Sequence, residues 1–327
     1  MWNWTEGVAR LKKKNKKKNK NKFLGFLSEL FKTKPLSGLG LVILLVLVVV
    51  AIFADQLAPY PMVDGQLQVD VLNKLAPMSL EHPLGTDTLG RDLLSYLIYG
   101  ARTSVILCVA CTILSTVLST IIGVSSAVLG GLYDMVVQRF VDAWQCIPAT
   151  LILLILMVLM GNGTLQLILA ISIPAGIAGS RLVRSAAVSV KDSGYMKMSN
   201  MLGSNPLWKM WYHVLPNILP IIIINMAGSL GGVVMQEASL NFLGYGVDPG
   251  TPSWGYLITQ QGRMYLFKYP MLAVAPGVLI ALMVFASAMF GDGVRDILDP
   301  RLKGGVGSYS SKKLEKISRR YKAKSAH

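Results

Sequence analysis

Glu237 stands where chemistry would be most conspicuous: it is the only acid within an otherwise uncharged apolar run, Val214 to Leu243. An ionisable group in such a run is a functional candidate by default. It lies some 20 residues into its segment, roughly 30 Å along a helix, which places it near the outer membrane interface. Wet, helix-capping or loop-pairing roles cost less there, so a structural role is expected ahead of substrate contact. Asp87, Arg91 and Asp92 surround the stretch Gly85 to Gly90; they are expected to form an ion-paired knot that orders it, with contact to an outside receptor as the other reading. Cys108-Val-Ala-Cys111 has the spacing of a redox pair. These two thiols and Cys146 lie in or at the edge of apolar segments, which reads as small apolar packing, and nothing in the count indicates a disulfide framework. His82 and His213 are far apart in sequence and fall on opposite membrane faces, so they share no metal, and no nucleophile constellation is present. No Gly-x-x-x-x-Gly-Lys-Ser/Thr string occurs; the chain is expected to bind no cofactor and to borrow ATP hydrolysis from other subunits.

The elements that must position these residues are helices in lipid. Of 327 residues, 53% are hydrophobic and 15% charged, and the charges avoid six runs: 36–54, 103–130, 146–160, 165–180, 214–243 and 271–290. Runs near twenty residues match the hydrocarbon thickness that a helix crosses. In lipid every backbone polar group must pair within the protein, and barrel strands would alternate in short segments instead. The fold class is therefore all-α, with about six transmembrane helices. Gly161-Asn162-Gly163-Thr164 reads as a tight turn between the third and fourth.

Charge distribution sets the orientation. Of 32 Lys and Arg, 11 precede Pro35, six lie within 131–145 and 181–213, and 10 follow Phe290. Basic residues mark the cytoplasmic side, so both termini are inside and loops 55–102 and 244–270 outside. The net charge of +15 thus reads as attraction to anionic membrane lipids by the run 11–22 and not as nucleic-acid binding. Phe23, Phe26, Leu27, Leu30 and Phe31 have helical spacing and suit a helix in the interface.

Five regions follow: a basic cytoplasmic tail with its interfacial helix (1–34), a first transmembrane helix (35–54), an outer loop (55–102), a five-helix core (103–292) and a second basic tail (293–327). Asp134, Arg139 and Asp142 suggest an interfacial helix between the second and third spans. Within the inner loop 181–216, Gly203-Ser-Asn-Pro206 ends one short helix and caps the next. Leu207, Trp208, Met210 and Trp211 are too apolar to be left in water and indicate a partner.

The inner loop resembles the permease subunits of binding-protein-dependent ABC importers, whose pattern is Glu-Ala-Ala, three residues, Gly, nine residues, Ile, one residue, Leu-Pro. Gly203, Leu215 and Pro216 match, while Lys197, Met198 and Ser199 occupy the Glu-Ala-Ala positions and His213 the Ile position. The strings 82–92, 99–102, 237–244, 252–255 and 291–301 resemble the peptide and nickel branch, the second permease type of dipeptide and oligopeptide systems, with Tyr96 where that branch usually has Arg. The resemblance implies a prokaryotic multi-pass cell-membrane protein and a coupling helix, containing Ser204, Pro206, Trp208 and Trp211, that docks on an ATPase. It implies as partners a second permease, one or two ATP-binding subunits and an extracellular solute-binding protein. Di- or oligopeptides are the expected cargo, with nickel or a metal chelate as the alternative. A stand-alone secondary transporter is the competing class, but ion-coupled carriers need mid-membrane acids or broken helices, and the spans offer only Glu237 near one end. In the C-terminal string, Asp292, Arg295, Asp296, Asp299 and Arg301 are expected to lock the inner end of the last span.

Overall fold

The computed structural model describes residues 30–31, 34–63, 66–248 and 250–298. Most of the interfacial helix expected near residue 23, and all of the tail beyond residue 298, lie outside the described residues. Helix α1 (Pro35–Ile52) opens with Pro35 at its first turn, where the missing N–H is no loss. Helix α2 (Leu93–Leu129) has 37 residues and α3 (Gly131–Gln145) 15. Helix α4 (Ala149–Met160) has 12, α5 (Thr164–Lys191) 28, and α6 (Gly194–Met201) is a short cytoplasmic piece. Helix α7 (Pro206–Phe242) contains a π-helical stretch, Met210–Val214. Short turns at Trp254–Leu257, Ile258–Gly262 and Arg263–Tyr265 lead to the last helix, α8, Met271–Leu298.

Crossing number follows from packing direction. Helices α2 and α5 lie side by side and run the same way: Ser172 Oγ donates to the Cys111 carbonyl at 3.4 Å near one end, and Lys191 Nζ to the Ala127 carbonyl at 2.8 Å near the other. The chain between them must therefore return across the membrane. Helices α3 and α4 provide that return, bent by 90° to each other where Pro148 stands at the N-cap of α4. At about 1.5 Å per residue α4 spans only some 18 Å. Among the described residues five helices are long and apolar enough to cross alone, and the broken pair makes the sixth. Helices α2 and α5 approach closely at Gly123, where a Cβ would stand 2.6 Å from the Ser180 carbonyl oxygen. Small residues at such contacts let backbones approach and gain dispersion where lipid offers no hydrophobic drive.

Several expected boundaries move. Helix α2 begins at Leu93, so the outer loop is ten residues shorter than 55–102. Asp92 caps it by accepting from the Ser95 N–H and hydroxyl, both at 2.8 Å. Arg102 had marked the loop's end by its charge; it sits on the helix and reaches Asp55 at 2.7 Å and the Ala51 carbonyl at 2.9 Å. The span after the 161–164 turn likewise continues to Lys191, taking eleven residues from the inner loop 181–216. Its two arginines pair with acids on α3: Arg181 with Asp142, and Arg184 with Asp134 at 2.6 and 2.5 Å. The last helix runs to Leu298 and not to 292, and Asp296 binds Lys34 at 2.8 Å. Leu30 is buried and lies where a Cβ on Gly293 would fall. A two-stranded ribbon, Met62–Val63 with Gln66–Leu67, adds a minor β element outside the spans; the Asp64-Gly65 pair between its strands is a strong hairpin signal.

The Arg184 guanidinium, helped by Ser126, holds the Asp134 carboxyl below its ordinary value. A group whose folded pKa is depressed stabilises above its unfolded value, about 3.9, and loses that contribution as pH falls through the folded value. Asp134→Asn should therefore melt below the parent protein at pH 6, and the gap should narrow as pH falls from 4 to 2.5 in detergent-solubilised thermal melts.

Candidate functional site

Three places on this scaffold carry the residues singled out in the sequence. The first is the outer knot. The Asp87 carboxylate accepts from the Leu89 and Arg91 N–H groups at 2.8 and 2.9 Å and from Arg91 Nε at 2.7 Å. All three of Asp87, Arg91 and Asp92 are buried, and the Arg91 guanidinium lies 4.8 Å from the Tyr96 ring centroid. Gly90 adopts φ +81°, and a Cβ there would stand 1.7 Å from the Asp70 carbonyl oxygen; the turn admits no other residue. Gly85 also has positive φ. His82 Nδ1 lies 3.0 Å from Asp92. A partner the sequence did not reveal, Gln261, donates to Asp87 at 3.3 Å and accepts from the Thr88 N–H at 3.2 Å, joining the knot to the loop before α8. Separated by more than 170 residues, this pair carries no local signal.

Next to it lies Glu237. Its position near the outer end of α7 is as expected, but its environment is not wet: the residue is 3% exposed. Ser253 Oγ donates to Glu237 Oε1 at 2.8 Å and Ser104 Oγ approaches Oε2 at 3.5 Å. Asn241 Nδ2 donates to the Glu237 carbonyl at 3.0 Å. Ser253 belongs to the returning outer loop and also accepts from the Tyr256 N–H, while the next residue, Trp254, is fully buried and donates from Nε1 to the Leu97 carbonyl at 2.9 Å. Glu237 thus joins α2, α7 and the outer loop in one dry polar cluster. A buried acceptor kept in lipid only where its donors are fixed is a latch and not a wet cap.

The second place is a cavity of about 960 Å³ between α5, α7 and α8, in the inner half of the protein. Ser185, Ser189, Asn225 and Ser229 give it polar walls, and Asp292 and Arg295 stand at its inner end. Gly228 lines it too, and a Cβ there would meet nothing within 4 Å. Sequence reasoning placed Asp292 and Arg295 in a lock on the last span; in the structure Asp296 makes that contact, while Asp292 and Arg295 border the cavity. Asp299 and Arg301 lie outside the described residues.

The third is the cytoplasmic elbow. Helix α6 holds Lys197 and Met198 outward and buries Ser199, whose hydroxyl has no partner among the described residues. Gly203 turns the chain at φ +69°; the Ser204 N–H donates to the Ser199 carbonyl at 3.2 Å. Asn205 caps α7 by accepting from the Leu207 N–H at 2.9 Å, and Pro206 occupies its first turn. Lys209 Nζ donates to Asn200 at 2.7 Å, bracing the two arms. Met201, Leu202, Leu207, Trp208 and Trp211 are all exposed. The second arm is not a separate short helix as expected. It runs into the span through the π turn, in which the Leu215 N–H reaches the Met210 carbonyl. That longer ring moves the ladder past Pro216, which has no N–H to offer.

A family model described as "Binding-protein-dependent transport system inner membrane component" matches residues 116–304. A second, "N-terminal TM domain of oligopeptide transport permease C", matches residues 29–77. The chain is similar to the oligopeptide transport system permease protein OppC of Bacillus subtilis, 32% identical over 84% of this chain and 88% of that one. It is similar to the di/tripeptide transport system permease protein DppC of Pseudomonas aeruginosa, 33% identical over 82% and 88%. The glutathione transport system permease protein GsiD of Escherichia coli is 31% identical over 84% and 89%.

Removing the Glu237 side chain leaves the Ser253 and Ser104 hydroxyls short of an acceptor in a dry site, each costing about 1–3 kcal/mol. Glu237→Ala should lower thermal stability and speed protease cleavage within 244–265, whereas Glu237→Gln, which keeps an oxygen for Ser253, should lie nearer the parent; equal behaviour of the two would remove the latch.

Proposed function

The chain belongs to the binding-protein-dependent transport permeases, the membrane subunits of ATP-driven importers, and from that premise we propose that it imports di- or oligopeptides as one half of a permease pair. The observation that carries this reading is the pairing of a polar-walled inner cavity with a closed outer end. Outward of the cavity, the outer knot and the Glu237 cluster tie the helices together; the cavity itself lies between α5, α7 and α8. Solute released from an outside receptor would enter when the outer end opens and leave through the inner one, a two-state exchange of access. Peptide cargo is supported by the names of the relatives, which transport oligopeptides, di- and tripeptides and glutathione.

Energy is proposed to enter at the elbow. Trp208 stacks on Tyr212 with centroids 5.3 Å apart and meets His213 edge-on at 4.7 Å, forming a rigid aromatic knob. Such a knob fits a groove on a separate ATP-binding subunit, which hydrolyses the nucleotide while this chain stays non-catalytic. Lys197, in the position where the family has an acid, would present a cation to that subunit; the knob's apolar area, not this charge, is the source of grip. The second permease would close the path on the side left open by this chain.

Trp208→Asp combined with Trp211→Asp should abolish co-purification with the ATP-binding subunit while the chain still reaches the membrane. Retained co-purification would remove the elbow from the coupling role. Gly228→Trp should plug the cavity, leaving the subunits assembled but cutting uptake of labelled di- and oligopeptides by at least about tenfold; undiminished uptake would place the path elsewhere.

A further inference from the structure

Asp292 and Arg295 lie three residues apart on α8, a spacing that brings side chains onto one helix face with Cβ atoms about 5–6 Å apart. Opposite charges so placed commonly pair, as Arg139 and Asp142 do at 3.5 Å on α3. Here they do not: among the described residues neither Asp292 nor Arg295 makes an ion pair. Both are exposed and both border the cavity. Across from them Ser185 and Asn225 present polar groups that make no side-chain hydrogen bond to a described residue, and Gly228 keeps the wall between open.

We propose that this inner cavity is a binding subsite for a small zwitterion, with Arg295 taking the carboxylate and Asp292 the ammonium of a short peptide. The guanidinium offers a planar fork that a carboxylate fills with two parallel hydrogen bonds. Among the described residues Asp292 and Arg295, with the Lys34–Asp296 pair nearby, give a site of near-zero net charge, so a metal dication would gain from Asp292 only what Arg295 takes away. A ligand carrying both charges satisfies both groups at once. Asn225 and Ser185 can hydrogen-bond to the amide between the ends without reading its side chains, as a carrier of varied sequences requires. The volume, about 960 Å³, is at the upper end of small-molecule sites, leaving room for side chains and water. The inference rests on the cavity being part of the transport path, but it adds which chemistry is read there and by which residues.

A zwitterionic lipid headgroup has the same chemistry, so the test separates the two sources. The complete transporter is reconstituted inside-out in phosphatidylglycerol vesicles, with Ser229→Cys in a Cys146→Ser background; Cys108 and Cys111 are buried. Labelling by a membrane-impermeant maleimide is timed with and without alanylalanine, and Ser185→Cys provides a second reporter should Ser229→Cys fail to assemble. The expected result is slower labelling with alanylalanine, no slowing with its N-acetylated amide, and roughly tenfold weaker protection after Asp292→Asn or Arg295→Gln, the ratio carried by one charge-assisted hydrogen bond. Equal protection by the blocked dipeptide overturns the proposal. So does protection by phosphatidylethanolamine that alanylalanine does not deepen. Absent protection in a transporter that still imports the dipeptide overturns the subsite and leaves the peptide-import reading standing. Full protection in a transporter that imports no peptide does the reverse.

Discussion

Two neighbouring helices that run in the same direction, α2 and α5, set the terms for everything around them. A chain leaving the inner end of one must regain the outer face before it can start the other, and hydrocarbon permits that return only as helix. The return is made by a short, broken pair instead of a full span, and the bend at Pro148 leaves α3 lying along the inner surface. There its acids meet the arginines of α5, which hold the helix pair in register at the depth where water begins. The close contact at Gly123 and the ion pairs at Asp134 and Asp142 therefore serve one arrangement from two ends.

At the outer end the same arrangement is completed by polar groups shut away from water. Glu237, Ser253, Asn241 and Ser104 are each costly in isolation and tolerable only together. Because their donors come from different segments, the cluster fixes where the loop after α7 must lie, and Gln261 then reaches the Asp87 knot from the same loop. The outer face is bound by directional contacts, whereas in the inner half α7 and α8 meet through small residues at Gly228 and Gly291 and a cavity lies beside that contact.

Much of this was legible in the sequence. Long uncharged runs gave the helices, and the basic residues gave the sides. Motif strings pointed to the elbow and the outer knot before any contact was known. What stayed hidden has a common cause. Arg102, Arg181 and Arg184 marked the edges of hydrophobic runs by their charge, yet each sits on a helix whose carbonyl or acid partners lie on another segment, so run edges and helix ends disagree. Glu237 looked wet because depth alone was readable; its dryness depends on Ser253, sixteen residues on and folded back. Asp292 and Arg295 looked like parts of a lock because alternating charge on a helix usually pairs, and only the neighbouring helices show that they face a cavity. The elbow's second arm looked like a short helix of its own; the π turn that carries the chain from it into the span has no sequence signature.

That π turn has a mechanical consequence. Helix α7 is one rod of 37 residues, about 55 Å from end to end, with the aromatic knob at its foot and the Glu237 cluster near its top. Its interruptions, the turn at Met210–Val214 and the prolines at 216 and 220, all fall within the lower half, while the helix continues above Pro220 to Phe242. A torque applied at the foot therefore meets the interrupted lower part of the helix before the ladder that carries Glu237.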